Sequence, residues 1–401
     1  MGEDVYRFGP QDRSHDGEGM GCPRMENQDG RWGRISIGAA ETAAAGLGND
    51  VGTSAQAAVR LNLTHPDDWH LHLRDGAVLA AVLPHTARRF ARAIVMPNLD
   101  PPVTTTEAAR AYRERILSAL PIGIPFEPLM TLYLTEATLP AEIAQAKASG
   151  IVHAVKYYPA SATTNTERGV TDPKRCYPVF AAMERHDLPL IIHGEVTDPA
   201  VDAFDREEFF IERHLAPLVR EFPALRMVLE HISTRAAVEF VNWTPRNVAA
   251  TITPHHLLLN RSAMFEGGLR PHHYCRPLLK READRVALIT AATNGNMKFF
   301  LGTDSAPHPR RAKESAYGCA GIYSAHAALE LYAEAFEQAG ALDRLEAFAS
   351  FHGPAFYGLP RNHGRITLVK ECWEVPPEIR IGTEALVPMR AGQTVAWRLG
   401  Q

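Results

Sequence analysis

The chain is poor in the residues that staple small secreted folds. Its five cysteines, Cys22, Cys176, Cys275, Cys319 and Cys372, are few, odd in number and form no Cys-x-x-Cys pair. That argues against a disulfide framework or a thiolate zinc site and suits a reducing cytoplasm. No apolar run approaches the length needed to cross a bilayer as a helix, so no membrane partner is expected. The net charge is only −4 over 401 residues, which gives no reason to expect nucleic acid or an anionic membrane as partner. No Gly-x-Gly-x-x-Gly follows any predicted strand, which disfavours a doubly wound dinucleotide-binding sheet. What remains is a composition ordinary for a globular protein, 45% hydrophobic and 22% charged, in a chain long enough for one large α/β domain or two medium ones.

Residues 1–58 differ from the rest, being rich in Gly, Asp, Glu, Arg and Ala with few apolar runs. They offer neither the apolar core of a secretory signal nor the acid-poor composition of a mitochondrial presequence. The segment reads as a disordered extension carrying no chemistry, with Met20 and Met25 as alternative starts. Residues 59–401 are expected to form the functional domain.

From Leu61 onward short β-rich runs alternate with amphipathic stretches. Strands are predicted at Trp69–Leu73, Arg92–Met96, Pro128–Leu134, Val152–Tyr157, Leu188–His193, Arg226–Glu230, Val248–Thr253 and Lys298–Gly302. Helical stretches between them include Thr105–Leu120, Pro140–Ala148, Pro178–Asp187, Arg206–Glu221 and Ala283–Ala292. Single strands spaced by single helices mean βαβ units, and eight of them in roughly 240 residues predict a (β/α)8 barrel. Three later runs, Arg365–Val369, Ile379–Gly382 and Thr394–Leu399, read as short strands packed outside the barrel or over one end.

The reactive residues fall in one kind of place. His70 and His72 are two apart in Trp69-His70-Leu71-His72-Leu73-Arg74, the spacing that points both imidazoles to one side of a strand. Two imidazoles there make half of a transition-metal site. Asn98, Lys156, His193, His231 and Asp304 then sit at or near the ends of the second, fourth, fifth, sixth and eighth strands. In a parallel barrel all C-terminal strand ends meet on one face, so residues distant in sequence converge. A single histidine at a strand end is usually a satisfied polar residue. Four of them and an aspartate, each after an apolar strand, point to a metal centre.

Lys156 needs another argument, because an ammonium beside metal ions is repelled. A buried lysine has a lowered pKa, and its neutral amine is a nucleophile. It can form a Schiff base with a carbonyl, or take up carbon dioxide as a carbamate whose two oxygens bridge two metals. With four histidines and an aspartate around it, the bridging carbamate fits better. Two divalent ions would leave a surplus of positive charge suited to an anionic substrate.

These residues, with the strings Met96-Pro97-Asn98-Leu99, Lys156-Tyr157-Tyr158-Pro159-Ala160, His193-Gly194-Glu195-Val196 and Gly302-Thr303-Asp304-Ser305-Ala306-Pro307-His308, resemble the dihydroorotase family of the amidohydrolase superfamily, in its shorter bacterial homodimeric form. The resemblance runs from about Leu61 to the C-terminus. It implies two Zn²⁺ per subunit, one on His70, His72 and Asp304 and one on His193 and His231, bridged by N6-carboxylated Lys156. Asp304 would be general base and acid. Arg74, Asn98 and His308 would clamp a substrate carboxylate, Thr163 and Thr164 would belong to a closing loop, and backbone groups at Arg276 and Ala320 would touch a pyrimidine ring. The extension has no counterpart in that family, and Arg276 stands where relatives also carry an apolar residue. The implied reaction interconverts N-carbamoyl-L-aspartate and L-dihydroorotate in pyrimidine (UMP) biosynthesis, in a cytoplasmic homodimer. The alternatives are a dihydropyrimidinase or hydantoinase, which has no need of a carboxylate clamp, and a non-catalytic scaffold, which would be expected to lose ligands. His255, His256, His272 and His273 are left without a role.

Overall fold

A computed structural model describes residues 59–400; the expected extension at residues 1–58 lies outside the described residues. The eight barrel strands are preceded by a strand that the sequence patterning did not single out, β1 (Arg60–Thr64). They follow as β2 (Asp67–Leu71), β3 (Arg92–Val95), β4 (Glu127–Tyr133), β5 (Val152–Tyr157), β6 (Leu190–Ile192), β7 (Met227–Leu229), β8 (Val248–Ile252) and β9 (Phe299–Leu301). Their order in the sheet is their order in the chain, and every pairing is parallel. The last strand meets the first through Asp304 N–H donating to the His70 carbonyl (2.9 Å) and His72 N–H to the Ser305 carbonyl (3.2 Å). This is the expected (β/α)8 barrel, whose strands are largely buried on both faces because helices cover the outside.

The lumen is filled by one residue from each strand: Trp69, Ile94, Leu129, Ala154, Ile191, Val228, Ala249 and Phe300. Strand alternation then dictates what lies above them. Two residues on from Ala154 is Lys156, from Ile191 is His193 and from Val228 is Glu230; four on from Phe300 is Asp304. In β2 the ladder is irregular between Asp68 and Leu71, and the phase changes there. Trp69 fills the lumen, while Leu71 and Leu73 pack outward against the helices, so His70 and His72 face the lumen mouth. His72 lies one residue beyond the end of β2, which closes at Leu71, not within the strand as predicted; its N–H turns instead to the Ser305 carbonyl.

Helices Thr106–Ser118, Pro140–Ala148, Tyr177–Arg185 and Glu282–Thr293 fall close to their predicted bounds. The predicted helix Arg206–Glu221 is continuous in extent but contains a π-helical turn at Ile211–Leu215. Among the predicted tail strands, Arg365–Val369 (β10) pairs antiparallel with β1 along its full length, and Arg398–Leu399 extends that small sheet. Thr394–Leu399 is broken in two, with Thr394–Val395 pairing instead with Trp373–Glu374. These strands pack on the outside of the barrel.

At the closed end of the lumen, Trp69 stacks on Tyr357 at 4.4 Å and lies against Gly353, where a Cβ would come within 1.9 Å of the indole nitrogen. Gly353→Ala should therefore cost about 1–3 kcal/mol of stability through overpacking. Chemical denaturation measures it, and an unchanged midpoint would show that Trp69 is not held this tightly.

Candidate active site

Four imidazoles form a chain around the mouth of the barrel. Ring centroids are 5.2 Å apart for His70 and His72, 4.9 Å for His70 and His231, and 4.8 Å for His231 and His193. His70 Nε2 and His72 Nε2 are 3.3 Å apart, and Asp304 Oδ1 is 3.3 Å from the first and 3.1 Å from the second. Three lone-pair atoms thus meet at one point. Lys156 lies beneath, fully buried, with its ammonium on the Glu230 carboxylate.

The backbone is strained where the site needs it. Arg74 (φ 58°), His231 (φ 42°) and Asp304 (φ 44°) all occupy the left-handed region. Such residues cost of order 1–3 kcal/mol each and persist only where the surroundings hold them. Here the Tyr112 hydroxyl donates to the Arg74 carbonyl (2.6 Å), and the His231 N–H donates to Thr251 Oγ1 (2.7 Å). Gly302 lets Thr251 stand there, since a Cβ on it would lie 2.7 Å from the threonine Cβ. The strain at His231 has a use. In strict alternation Glu230, not His231, faces the lumen, and the left-handed turn swings the imidazole in as well.

Burial and charge leave most of the rings neutral. His72 is pushed down to about 3 by burial and by the Arg74 guanidinium, and burial also lowers His193 and His231. His70 differs: burial pulls it down, but the Glu230 and Asp304 carboxylates outweigh that and raise it. Burial would raise the Asp304 carboxyl, yet the charge of His70 and hydrogen bonds from His70 and His72 hold it well below the usual range. Lys156 is lowered, burial outweighing the Glu230 and Asp304 carboxylates.

Arg74 projects from the same segment as the His70–His72 pair. Its guanidinium lies 3.1 Å from His308 Nε2 and 3.3 Å from His72 Nδ1. Asn98 donates to the Thr164 carbonyl (3.0 Å), and Asn165 donates back to the Asn98 carbonyl (3.2 Å), so the loop bearing Thr163 and Thr164 is tied down over the site. The cavity there is lined by all the expected site residues except Lys156, buried below it, and His308, reached through Arg74. Arg276 lines it too, with its Nε donating to the Tyr274 hydroxyl (3.2 Å). Sequence reasoning gave no role to Tyr158, a pocket-lining residue whose ring lies 4.9 Å from Lys156 Nζ, nor to the buried Glu195 and Glu230. Tyr158 and Glu195 lie inside the quoted strand-end strings and Glu230 ends a predicted strand, and those positions were the available signal.

Of the histidines without a role, His255 and His256 are buried with Cys275 in a second group of metal-capable atoms. His256 Nε2 and Cys275 Sγ are both already engaged with the Pro277 carbonyl, at 3.2 Å each. His272 pairs with Glu314 (2.9 Å) and His273 with the Ala263 carbonyl (2.7 Å), outside the cavity.

A parallel barrel with histidines, a lysine and an aspartate at its strand ends defines a metal-dependent amidohydrolase, and residues 68–372 match the amidohydrolase family. A relative from Nitrosococcus oceani named dihydroorotase is 65% identical over 341 residues, covering 85% of this chain and 99% of its own. The crystal structure of dihydroorotase from Campylobacter jejuni superposes with a TM-score of 0.79 at 35% identity, covering 86% of this chain and 98% of that one. Dihydroorotase from Saccharomyces cerevisiae in complex with 5-fluoroorotic acid gives a TM-score of 0.79 at 32% identity, covering 85% and 98%. The chain belongs to the dihydroorotase family. No helix among the described residues is long and apolar enough to cross a membrane.

Proposed function

We propose that the protein interconverts N-carbamoyl-L-aspartate and L-dihydroorotate, and that it does so with two Zn²⁺ ions. The observation that carries the reading is the meeting of two features in one cavity: a three-atom donor point and, beside it, a cationic clamp. His70 Nε2, His72 Nε2 and Asp304 Oδ1 converge with more lone pairs than protons to share among them, which is the donor set a divalent cation requires. His70, His72 and Asp304 would hold one ion, His193 and His231 the other, and carboxylated Lys156 would bridge them. Lys156 supports that role by being fully buried and shifted toward the free amine, the nucleophile that attacks carbon dioxide. Bound there, the ions would polarise the amide carbonyl and bring the pKa of water toward neutrality.

The chain's own groups do the rest. Arg74, with Asn98 and His308, orients the substrate through its carboxylate, for which a guanidinium offers a two-pronged match. The Thr163–Thr164 loop excludes bulk water. Backbone groups at Arg276 and Ala320 face the ring. In ring opening Asp304 accepts the proton of the attacking water and passes it to the departing ring nitrogen; in ring closure it removes a proton from the ureido nitrogen. The yeast relative's bound 5-fluoroorotic acid, itself a pyrimidine acid, supports an anionic pyrimidine as ligand. The four cysteines of this chain among the described residues, Cys176, Cys275, Cys319 and Cys372, are all free, which supports a reducing, cytoplasmic setting, and the resemblance supports a homodimer.

The test is turnover of dihydroorotate against dihydrouracil. Dihydroorotate is expected to be strongly preferred; equal rates would favour a dihydropyrimidinase. Arg74→Ala should lower kcat/KM about 10- to 100-fold, mainly through KM, since a hydrogen bond to a charged group contributes about 1.5–3 kcal/mol. Unchanged kinetics would mean that the clamp is elsewhere.

A further inference from the structure

Two carboxylates sit inside the metal-binding face without touching the cavity. Glu195 is 1% exposed and Glu230 fully buried, and neither meets an arginine. A lone buried carboxylate is costly, so each must be offset by what it touches. Glu195 Oε2 lies 2.7 Å from His193 Nε2. Because a carboxylate accepts, this contact puts the proton on Nε2 and leaves Nδ1 its lone pair. Glu230 Oε1 lies 2.9 Å from His70 Nδ1, at an angle that makes this a charge contact more than an aligned hydrogen bond; its other oxygen meets Lys156 Nζ. The proton is drawn to His70 Nδ1, and Nε2 is left for the point shared with His72 and Asp304.

The two carboxylates therefore select opposite ring nitrogens on two different histidines. Glu195 acts within its own strand end, two residues from His193. Glu230 adjoins His231 in sequence yet serves His70 on β2 and Lys156 on β5, so it couples three strands across the barrel mouth.

We infer that Glu195 and Glu230 are positioning residues, each assigned to one metal: Glu195 orients His193 for the ion it shares with His231, and Glu230 orients His70 for the ion it shares with His72 and Asp304. The inference rests on the two-metal reading above. Outer carboxylates of this kind typically change metal affinity about 10- to 100-fold when removed.

The test uses the full chain with Glu195→Leu, Glu195→Gln, Glu230→Leu and Glu230→Gln. Zinc affinity is read by competition with a chromophoric chelator, and anomalous scattering at the zinc edge reports the two occupancies separately. The expected result is a roughly 10- to 100-fold weaker second zinc in Glu195→Leu with the first unaffected, and the reverse in Glu230→Leu. Glutamine, whose carbonyl still accepts from the ring N–H, should restore most of the loss at Glu195. Unfolding of the metal-free proteins gives the control. If wild type binds two zincs and both leucine variants hold both with wild-type affinity, the inference is wrong. It is also wrong if either variant loses both ions together in proportion to a lowered metal-free stability, which would mark a structural role. Wild type that binds no zinc would overturn the two-metal reading itself, a result distinguishable from the other two.

Discussion

Asp304→Asn should fold normally and lose at least about 10³-fold in kcat, with dihydroorotate hydrolysis and circular dichroism as the two measurements. Asparagine has nearly the same shape as aspartate and tolerates the left-handed conformation at this position (φ 44°). Its backbone N–H would still donate to the His70 carbonyl and keep the barrel closed. What disappears is the charge and the capacity to carry a proton. General acid–base transfer contributes typically about 10²–10⁴-fold, and the same substitution weakens the donor point shared with His70 and His72. Wild-type rates in this variant would overturn both roles given to Asp304.

Lys156→Met should abolish turnover for a different reason. Methionine fills much of the lysine's volume at this fully buried position, but it cannot take up carbon dioxide or bridge two ions. Native mass spectrometry of the wild type should show one bound CO₂ per chain and two zincs; the variant should show no CO₂ and lose zinc. Removing one partner of a buried ion pair typically costs about 3–5 kcal/mol, so the metal-free variant should also unfold earlier than metal-free wild type, because Glu230 loses Lys156 and keeps only its contact with His70. Lys156→Met combined with Glu230→Gln removes that stranded charge and should recover stability without recovering activity. Wild type without CO₂, together with Lys156→Met that keeps both zincs and its rate, would remove the bridging carbamate.

The competing readings divide on particular residues. A scaffold would be expected to have lost ligands, yet His70, His72, His193, His231 and Asp304 all face one cavity with Lys156 directly beneath it. A hydantoinase has no use for a substrate clamp, and the guanidinium of Arg74 reaches that cavity beside His308. The family match at 65% identity agrees with both observations.

Much of this was legible in one dimension. Strand–helix alternation implied the barrel, because parallel strands buried on both faces read as short apolar runs whatever follows them. Period-two alternation already put Lys156, His193 and Asp304 in the lumen, in phase with Ala154, Ile191 and Phe300. Other features were invisible because they depend on the backbone leaving its regular path. The irregular pairing in β2 changes the phase of the strand, so that His70 and His72 turn inward although Trp69 also does. A left-handed residue at His231, held by Thr251, brings that ring in against the alternation, so that Glu230 and His231 both face the centre. Strand β1 escaped notice because its partner, Arg365–Val369, lies some three hundred residues away. The chain by itself determined which groups could do the chemistry and on which face of the barrel they would meet. Only the tertiary structure decided which carboxylate answers which imidazole: Glu195 stays with His193 two residues away, whereas Glu230 passes over its neighbour His231 to reach His70 on another strand, a pairing that sequence separation cannot foretell.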